Sequence, residues 1–306
     1  MRSEETGWCR HLAPLGVPTA IIANDSHLLA AACAAYADWL VEAPTDRPVI
    51  ELRLERGSAS PAHVSCAISV EGSRLTLSGE GISGYADAIS RQAWCRVPPC
   101  LIDDPAALAA EAIDTLLLFL LARSGRTPVH AAGVLFGDTV AMLSGASGAG
   151  KSTLALAAVA RGLPILSDDT LYVQIDPCLR VWGFARPIHV FAQDAPEGVF
   201  ATRLRGGKLK NAIPVSAGAT ISPVADAAVL ILLDKGPRLS LDRIDTATAI
   251  ERLTRLEPGF DLLRAESAAA IRALAEPGAW QLTLTDDPGE AIDFLGERFR
   301  SIAPRR

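Results

Sequence analysis

The sequence has no excess of basic residues and no paired cysteines, and both absences exclude classes of protein. Lys and Arg number 29 against 35 Asp and Glu, so the formal net charge is -6 at pH 7. A duplex-binding surface carries a basic footprint, and this composition therefore predicts no nucleic-acid partner. The six cysteines form no C-x-x-C pair and no histidine stands at zinc-finger spacing, which argues against a zinc site and a disulfide framework.

The chain also lacks a long hydrophobic run. Its most apolar stretch, residues 116–122, is flanked by Asp114 and Arg123 and falls far short of the ~20 apolar residues that cross a bilayer. The first residues carry acids before any apolar segment, and no signal-peptide core is recognisable. We therefore expect a cytoplasmic protein with no membrane partner, in which residues 116–122 belong to a buried helix.

The order of the remaining patterns predicts two regions in an α/β protein. With 306 residues and 49% hydrophobic content, the chain has enough material for a sizeable core. Residues 1–125 mix alternating and helical patterns, which predicts a smaller α+β region whose hypothetical role is substrate recognition. Residues 126–306 begin with two apolar strands, a glycine loop and a helix, and end with two or three helices. This second region is predicted to be an α/β nucleotide-binding domain.

The strongest motif is "GASGAGKST", residues 145–153, which satisfies G-x-x-x-x-G-K-[ST] between a predicted strand and a predicted helix. Glycine permits positive φ and close backbone approach, so that amide groups and a helix N-terminus can surround phosphates. Lys151 is expected to contact the β- and γ-phosphates, and the Ser152 hydroxyl to bind Mg²⁺. The predicted ligands are a nucleoside triphosphate, taken as ATP, and Mg²⁺. The predicted ATP contacts in the loop are Gly145, Ala146, Ser147, Gly148, Ala149, Gly150, Lys151, Ser152 and Thr153.

Two adjacent acids and one histidine complete the candidate site. Asp168 and Asp169 follow a short apolar stretch about one helix and one strand beyond the loop, where a parallel neighbouring strand would place them beside the phosphates. One carboxylate can bind Mg²⁺ while the other accepts a proton from an incoming hydroxyl. The alternative is an Asp-Asp turn that begins the next strand. His130, on the strand that leads to the loop, is either a core histidine or a third group of the site.

Together, "PVHAAGVLFGDTVAMLSGASGAGKST" and "LPILSDDTLYV" resemble the catalytic core of the HPr kinase/phosphorylase family, bacterial serine kinases whose P-loop fold is unrelated to that of eukaryotic protein kinases. The resemblance covers roughly residues 127–235 and rests on a histidine, a GKS loop and an Asp-Asp pair in that order. It implies a P-loop nucleotide-binding core of the HPr kinase type. It also implies phosphorylation of a serine hydroxyl with ATP and Mg²⁺.

The same resemblance assigns roles to individual residues. His130 matches the active-site histidine, Lys151 the phosphate-binding lysine and Ser152 the Mg²⁺-binding hydroxyl. Asp168 matches the aspartate that accepts the proton of the substrate serine, and Asp169 matches its neighbour, which we assign to Mg²⁺. On this assignment His130 is expected near Asp168 or the γ-phosphate.

The chain departs from that family in places that concern its substrate. Thr153 stands where the family has an acid after GKS, and the Glu-bearing signature associated with the phosphorylase reaction has no clear counterpart. Residues 1–125 show no resemblance to the family's regulatory domain. The resemblance to the family therefore supports the type of reaction better than it supports the substrate. Stand-alone relatives of this kind are associated with other targets, including serines of ribosomally made peptides such as lasso-peptide precursors.

A basic segment beyond the core supplies two further candidate phosphate ligands, Arg186 and Lys208. Arg186 is placed to direct its guanidinium at the γ-phosphate. The stretch "RLRGGKLKN" suits a lid, because glycines give hinge freedom and cations stabilise the charge that develops during transfer. The alternative is a solvated basic loop. The lid would carry Arg203, Arg205, Lys208 and Lys210.

The sequence thus predicts an ATP-dependent serine kinase of a peptide or small protein. Its predicted catalytic residues are Asp168, His130 and Lys151, and its predicted metal ligands are Ser152 and Asp169. Two alternatives stay open: a small-molecule kinase, and a non-catalytic regulatory module that binds a nucleotide. A homo-oligomer is also left open by the resemblance, because enzymes of that family often assemble.

Overall fold

The computed structural model of the chain has a mixed α/β fold and describes residues 7–42, 48–58, 64, 66–184, 186–191, 195, 198, 201–205, 208–213, 224–256 and 263–302. Contacts divide it into two compact units, Met1–Ser124 and Gly125–Arg306.

The N-terminal unit is built on one mixed sheet. Its strands are β1 (Trp8–Leu12), β2 (Thr19–Ala23), β3 (Leu40–Val41), β4 (Ile50–Arg56), β5 (Cys66–Glu71), β6 (Arg74–Gly79), β7 (Ile82–Asp87) and β8 (Gln92–Val97). Its helices are α1 (Ser26–Ala35), α2 (Pro105–Leu108) and α3 (Asp114–Ala122). The eight strands lie in the order β3-β1-β2-β4-β8-β7-β6-β5. α1 begins after Asp25, whose carboxylate accepts hydrogen bonds from the amides of His27 and Leu28, the N-cap arrangement that satisfies otherwise unpaired helix donors.

One helical segment of this unit, Pro105–Ala122, is long and apolar enough to span a membrane by length and composition alone. It joins α2, a π-helical turn over Ala109–Ile113, and α3. Half of it is buried within the structure, and Leu116 and Leu121 have no exposed surface. The core helix of a folded protein meets the same criterion, so the segment is weak support for a membrane span. The buried helix predicted over residues 116–122 is present.

The C-terminal unit contains three sheets. Its strands are β9 (Thr127–Val129), β10 (Ala131–Phe136), β11 (Thr139–Ser144), β12 (Ile165–Ser167), β13 (Leu171–Gln174), β14 (Arg180–Gly183), β15 (Ile188–Val190), β16 (Ala201–Arg205), β17 (Lys208–Ile213), β18 (Val224–Ala225), β19 (Ala227–Lys235), β20 (Ser240–Ile244) and β21 (Ala279–Leu284). Its helices are α4 (Lys151–Ala160), α5 (Thr246–Arg255), α6 (Arg264–Ala275) and α7 (Pro288–Ile302). The sheet orders are β12-β10-β11-β19-β21-β20, β18-β14-β13-β9 and β15-β17-β16.

The central six-stranded sheet separates two hydrophobic cores. Successive side chains of a strand point to opposite faces. Leu143 of β11 accordingly packs with α4 and α7 on one face, whereas its neighbour Met142 packs with α5 and α6 on the other. Both faces of β11 and β19 are therefore covered, which is why these strands are almost wholly apolar.

Two details of the strand prediction are wrong. The apolar stretch "VHAAGVLF", residues 129–136, is the first of the two strands predicted before the glycine loop, and it is split at His130: β9 pairs with β13 of the four-stranded sheet, whereas β10 pairs with β11 of the six-stranded sheet. The strand before Asp168 was expected to be a parallel neighbour of the strand before the loop, but β12 pairs antiparallel with β10. β10 lies between β12 and β11, so β12 still runs in the same direction as β11.

The backbone of β12 lies close to Gly183 of β14, so a substitution at Gly183 tests the packing of these two strands. A Cβ atom at this position would overlap the carbonyl oxygen of Leu166. Gly183→Ala must therefore move one strand, and we expect a loss of about 3 kcal/mol in the free energy of unfolding, measured by urea denaturation.

The matched control for Gly183→Ala is Gly296→Ala in α7. There the nearest atom to the added Cβ is Phe136 Cε1 at 3.4 Å, an ordinary contact. Replacing glycine by alanine inside a helix favours folding, so we expect a gain of about 0.5–1 kcal/mol. Equal effects of the two substitutions would contradict the β12–β14 packing.

Candidate functional site

One edge of the six-stranded sheet gathers the ends of five strands. β11, β19 and β21 are mutually parallel, so their carboxyl ends share this edge. β10 is antiparallel to both β11 and β12, so β10 begins and β12 ends at the same edge. Ligands of open α/β sheets bind at the carboxyl ends of parallel strands. His130, the 145–150 loop, and Asp168 with Asp169 therefore meet there although they are distant in sequence.

The glycine loop between β11 and α4 depends on three glycines. Gly148 and Gly150 have φ of 84° and 103°, in the left-handed region that favours glycine. Gly145 is needed for space, because a Cβ atom would lie 2.9 Å from the Cβ of Ala149 and 3.1 Å from that of Leu233. Gly150 directly precedes α4 and no side chain caps that helix. The first amide groups of α4 therefore remain available to an anion in front of the helix.

Lys151 is the first residue of α4 and is buried, with 7% of its surface exposed. Its Nζ donates hydrogen bonds to the carbonyl oxygens of Gly145 at 2.6 Å and Ala146 at 3.3 Å. The ammonium group is thus held across the mouth of the loop by the loop's own backbone. A phosphate in the loop would lie within reach of a positive charge that is already in position.

Asp168 is the buried member of the acidic pair, with 5% of its surface exposed. Its carboxylate accepts a hydrogen bond from the backbone amide of His189 at 3.3 Å, and this bond and the nearby Ser152 hydroxyl both oppose the effect of burial on its pKa. Burial raises the pKa of Asp168 to about 6, and the neighbouring charge of Asp169 acts in the same direction. The Asp168 carboxylate therefore lies beside the first turn of α4.

Asp169 points elsewhere and is paired with His130. The Asp169 side chain is 70% exposed, and its Oδ1 lies 3.5 Å from Nδ1 of His130. Burial lowers the pKa of His130 and the charge of Lys151 lowers it further, while the carboxylate of Asp169 opposes both. The sequence had placed His130 near Asp168 or the γ-phosphate; the carboxylate that the structure places beside it is Asp169.

The loop and the His130–Asp169 pair open into a cleft of about 470 Å³, within the usual size of small-molecule sites. Other residues of the lining come from the β15–β17 sheet and from the ends of β19 and β21. Among the described residues the lining is His130, Ser147, Gly148, Ala149, Gly150, Lys151, Ser152, Thr153, Leu154, Asp169, His189, Val190, Phe191, Lys210, Lys235, Leu284, Thr285, Asp286 and Pro288.

The predicted basic ligands are distributed unevenly around this cleft. The Arg186 guanidinium lies over the Phe184 ring, 4.5 Å from its centroid, and Arg186 is not part of the described lining. Lys210 lines the cleft and lies 5.3 Å from the centroid of Phe191. Lys208 begins β17, but its side chain lies outside the described residues, as do those of the other predicted lid cations, Arg203 and Arg205. The phosphate roles of Arg186 and Lys208 stay predictions.

Four polar residues of the lining escaped the sequence analysis: His189, Lys235, Thr285 and Asp286. None belongs to a recognisable motif. A signal existed for Lys235, because it ends the apolar run that became β19, and strand ends are where ligands of α/β sheets bind. His189 had no such signal, since its strand belongs to a different sheet.

The donor set suits Mg²⁺ better than a transition metal. The described residues contain no group of three or more His, Cys, Asp or Glu side chains that could hold a metal ion. The oxygen ligands beside the loop are the Ser152 hydroxyl, the Asp168 carboxylate near it and the carboxylate of Asp169, next in the chain. Mg²⁺ is commonly held by one or two carboxylates together with the phosphates of a substrate. Ser152 and these carboxylates therefore fit the ion expected from the sequence.

The structure is a mixed α/β protein with a glycine loop at the edge of its central sheet where β11, β19 and β21 end. No family model and no curated protein matches the chain. Among solved structures it is similar to the HPr(Ser) kinase/phosphatase from Coxiella burnetii, with 16% sequence identity and a TM-score of 0.32, over 57% of this chain and 97% of that chain. The resemblance of the sequence to the HPr kinase family stays a prediction.

Proposed function

We propose that the C-terminal unit is an ATP-dependent kinase that transfers the γ-phosphoryl group to a serine hydroxyl of a peptide or small protein. The main support for this proposal is that a glycine loop suited to phosphates, Lys151, two carboxylates and His130 lie together at one edge of the six-stranded sheet. A loop that only binds a nucleotide has no need of a carboxylate–histidine pair beside it. Transfer to a hydroxyl requires a group that orients the acceptor and takes its proton.

The loop side of the cleft supports binding of the triphosphate. The amide groups of residues 147–152 and the start of α4 suit the phosphate oxygens, and Lys151 adds a fixed positive charge. Phosphoryl transfer depends mainly on positioning and charge neutralisation, which these groups supply. Mg²⁺, when bound, would neutralise charge on the β- and γ-phosphate oxygens.

We assign a role to each of the two carboxylates from the residue that it lies beside. This assignment reverses the roles of proton acceptor and metal ligand that the sequence predicted. Asp168 lies beside Ser152, the residue expected to bind Mg²⁺, and is almost wholly buried, so we place Asp168 on the metal side. Asp169 is exposed in the cleft beside His130, where an acceptor hydroxyl can reach it. His130 holds the Asp169 carboxylate in place and is a positioning residue.

The acceptor oxygen forms a bond to the γ-phosphorus, and the bond between that phosphorus and the β,γ-bridging oxygen breaks. The hydroxyl proton passes to the Asp169 carboxylate, and ADP leaves with the bridging oxygen. A serine acceptor, rather than a metabolite, is taken from the resemblance of the sequence to HPr kinases. We place the reaction in the cytoplasm, where ATP is available.

The direct test is incubation of the full chain with Mg²⁺ and γ-labelled ATP, alone and with serine peptides that include those encoded beside its gene. Transfer adds HPO₃, a gain of about 80 Da that intact-mass spectrometry resolves and fragmentation assigns to a residue. We expect the gain on a peptide serine and its loss when that serine is replaced by alanine. The same serine→alanine peptide is the matched control for non-specific labelling.

Other outcomes point to the alternatives. Label recovered in a small molecule from a metabolite mixture would indicate a small-molecule kinase. Tight ATP binding with neither acceptor nor turnover would favour a regulatory module that binds a nucleotide. Absence of ATP binding would overturn all three.

A further inference from the structure

The cleft has a second end that the proposed reaction does not use. In the six-stranded sheet, β10 and β12 lie on one side of β11, and β19 and β21 lie on the other. His130 and Asp169 belong to the first side, Lys235 and Asp286 to the second, and the loop after β11 lies between them. The site therefore has a centre with two chemically different flanks.

This order fixes the direction of a bound nucleotide. The γ-phosphorus must face Asp169, because the acceptor proton leaves there. The rest of the nucleotide then extends the other way, from the loop toward β19 and β21. β21 lies two strand spacings from β11, about 10 Å, so the far flank is beyond the phosphate positions of the loop.

The side of the cleft formed by the ends of β19 and β21 has apolar surface for a base and a carboxylate for ribose hydroxyls. Leu284 adjoins the loop, since a Cβ atom on Gly150 would lie 3.5 Å from its Cδ1, and Pro288 adds further apolar surface. Asp286 is exposed in the same lining. Thr285 also belongs to the lining, and its Oγ1 is buried with no hydrogen-bond partner among the described residues. Ribose hydroxyls are donors that a carboxylate accepts, whereas Lys235 offers only donors.

From this arrangement we propose that the nucleoside half of ATP lies over the ends of β19 and β21, with its base against Leu284 and Pro288 and its ribose hydroxyls bonded to Asp286. Asp286 then distinguishes nucleotides that carry these hydroxyls from those that lack them. The inference rests on the proposed function for the direction of the triphosphate.

The test compares three ligands by isothermal titration calorimetry in the presence of Mg²⁺: ATP, 2′,3′-dideoxy-ATP and inorganic tripolyphosphate. Asp286→Ala is expected to weaken ATP binding about 10-fold or more, in line with the loss of hydrogen bonds to a charged acceptor. Binding of dideoxy-ATP is expected to stay within about 2-fold, and tripolyphosphate is expected to bind as well or better, because a negative charge has been removed near the phosphates.

The matched control is Asp242→Ala, which removes an exposed carboxylate from the neighbouring β20 outside the cleft lining and should change none of the three affinities. Equal weakening of ATP and dideoxy-ATP by Asp286→Ala, or equal affinity of the unaltered chain for these two ligands, would overturn the inference. A chain that discriminates them through Asp286 but transfers no phosphoryl group would support the subsite and contradict the proposed kinase reaction. A chain that binds neither ATP nor tripolyphosphate would overturn both.

Discussion

Replacement of Lys151 by alanine is expected to weaken ATP binding about 100-fold, equivalent to about 2.7 kcal/mol, and to lower the rate of phosphoryl transfer by a further 10²–10³-fold. The ammonium group is buried and held by the carbonyl oxygens of Gly145 and Ala146. A charge fixed in this way need not reorganise when the phosphates arrive. It also contributes more when charge develops on the transferring group than it does in the ground state, which is why transfer should suffer more than binding.

The measurements are the dissociation constant for ATP by titration calorimetry and the rate of labelled-phosphate transfer under saturating ATP. Arg255→Ala is the matched control, because Arg255 ends α5 outside the described lining of the cleft and pairs with Glu251 on the surface. Loss of an exposed ion pair costs at most about 1 kcal/mol of stability and should leave ATP binding unchanged.

Stability separates a binding defect from unfolding. Removal of the Lys151 ammonium group loses its hydrogen bonds to the carbonyl oxygens of Gly145 and Ala146 but also relieves the desolvation cost of a buried charge, so the two effects on stability oppose each other. We expect the thermal midpoint of the ligand-free variant to stay within a few degrees of the unaltered chain. Full retention of ATP affinity by a folded Lys151→Ala variant would contradict the phosphate role of the loop.

The local parts of this architecture could be predicted because their causes are local. The glycine loop and the start of α4 follow from residues within nine positions of one another, and so does the Asp25 cap of α1. The apolar run that forms β19 and the amphipathic pattern that forms α7 are likewise complete within their own segments. Periodicity and capping chemistry act at this range.

The parts that could not be predicted depend on pairing between distant strands. The split at His130 arises because Val129 pairs with Leu171 in one sheet while Ala131 pairs with Ser144 in another. No sequence pattern around His130 indicates that the chain changes sheet there. Lys235 and Asp286 enter the site only because β19 and β21 lie beside β11 in that order.

The division of the Asp168–Asp169 pair illustrates the same limit. Asp168 and Asp169 lie in a bend after β12, and the structure buries the first carboxylate and exposes the second. Which one turns toward Ser152 depends on how β12 is placed against β10, and that register is not visible in the sequence. The geometry favours Asp168 at Ser152 and Asp169 at His130.

From this geometry we expect two isosteric variants, Asp169→Asn and Asp168→Asn, to have different defects. Asp169→Asn is expected to bind ATP with Mg²⁺ as the unaltered chain does and to transfer the phosphoryl group about 10²–10⁴-fold more slowly, because an amide cannot take the acceptor proton. Asp168→Asn is expected to lose the gain in ATP affinity that Mg²⁺ provides, measured as the ratio of dissociation constants with Mg²⁺ and with a chelator. That ratio reports on binding and does not depend on turnover.

Neither variant should fail to fold. Asp169 is exposed, and surface substitutions away from packing contacts change stability little. At Asp168, burial already disfavours the charged form, as its raised pKa indicates, so a neutral amide of the same shape is not expected to destabilise the protein near neutral pH. Thermal midpoints at pH 7.5 check both expectations, and a fall of more than about 5 °C would disqualify a variant from the comparison.

The reverse outcome is equally informative. If Asp168→Asn abolished transfer and kept the Mg²⁺-dependent gain in ATP affinity, while Asp169→Asn lost that gain, the roles expected from the sequence resemblance would be right and the assignment by partners wrong. The two substitutions remove the same charge from adjacent residues with the same change of shape. A difference between them therefore reflects where each carboxylate points, toward Ser152 and the loop or toward His130 and the acceptor.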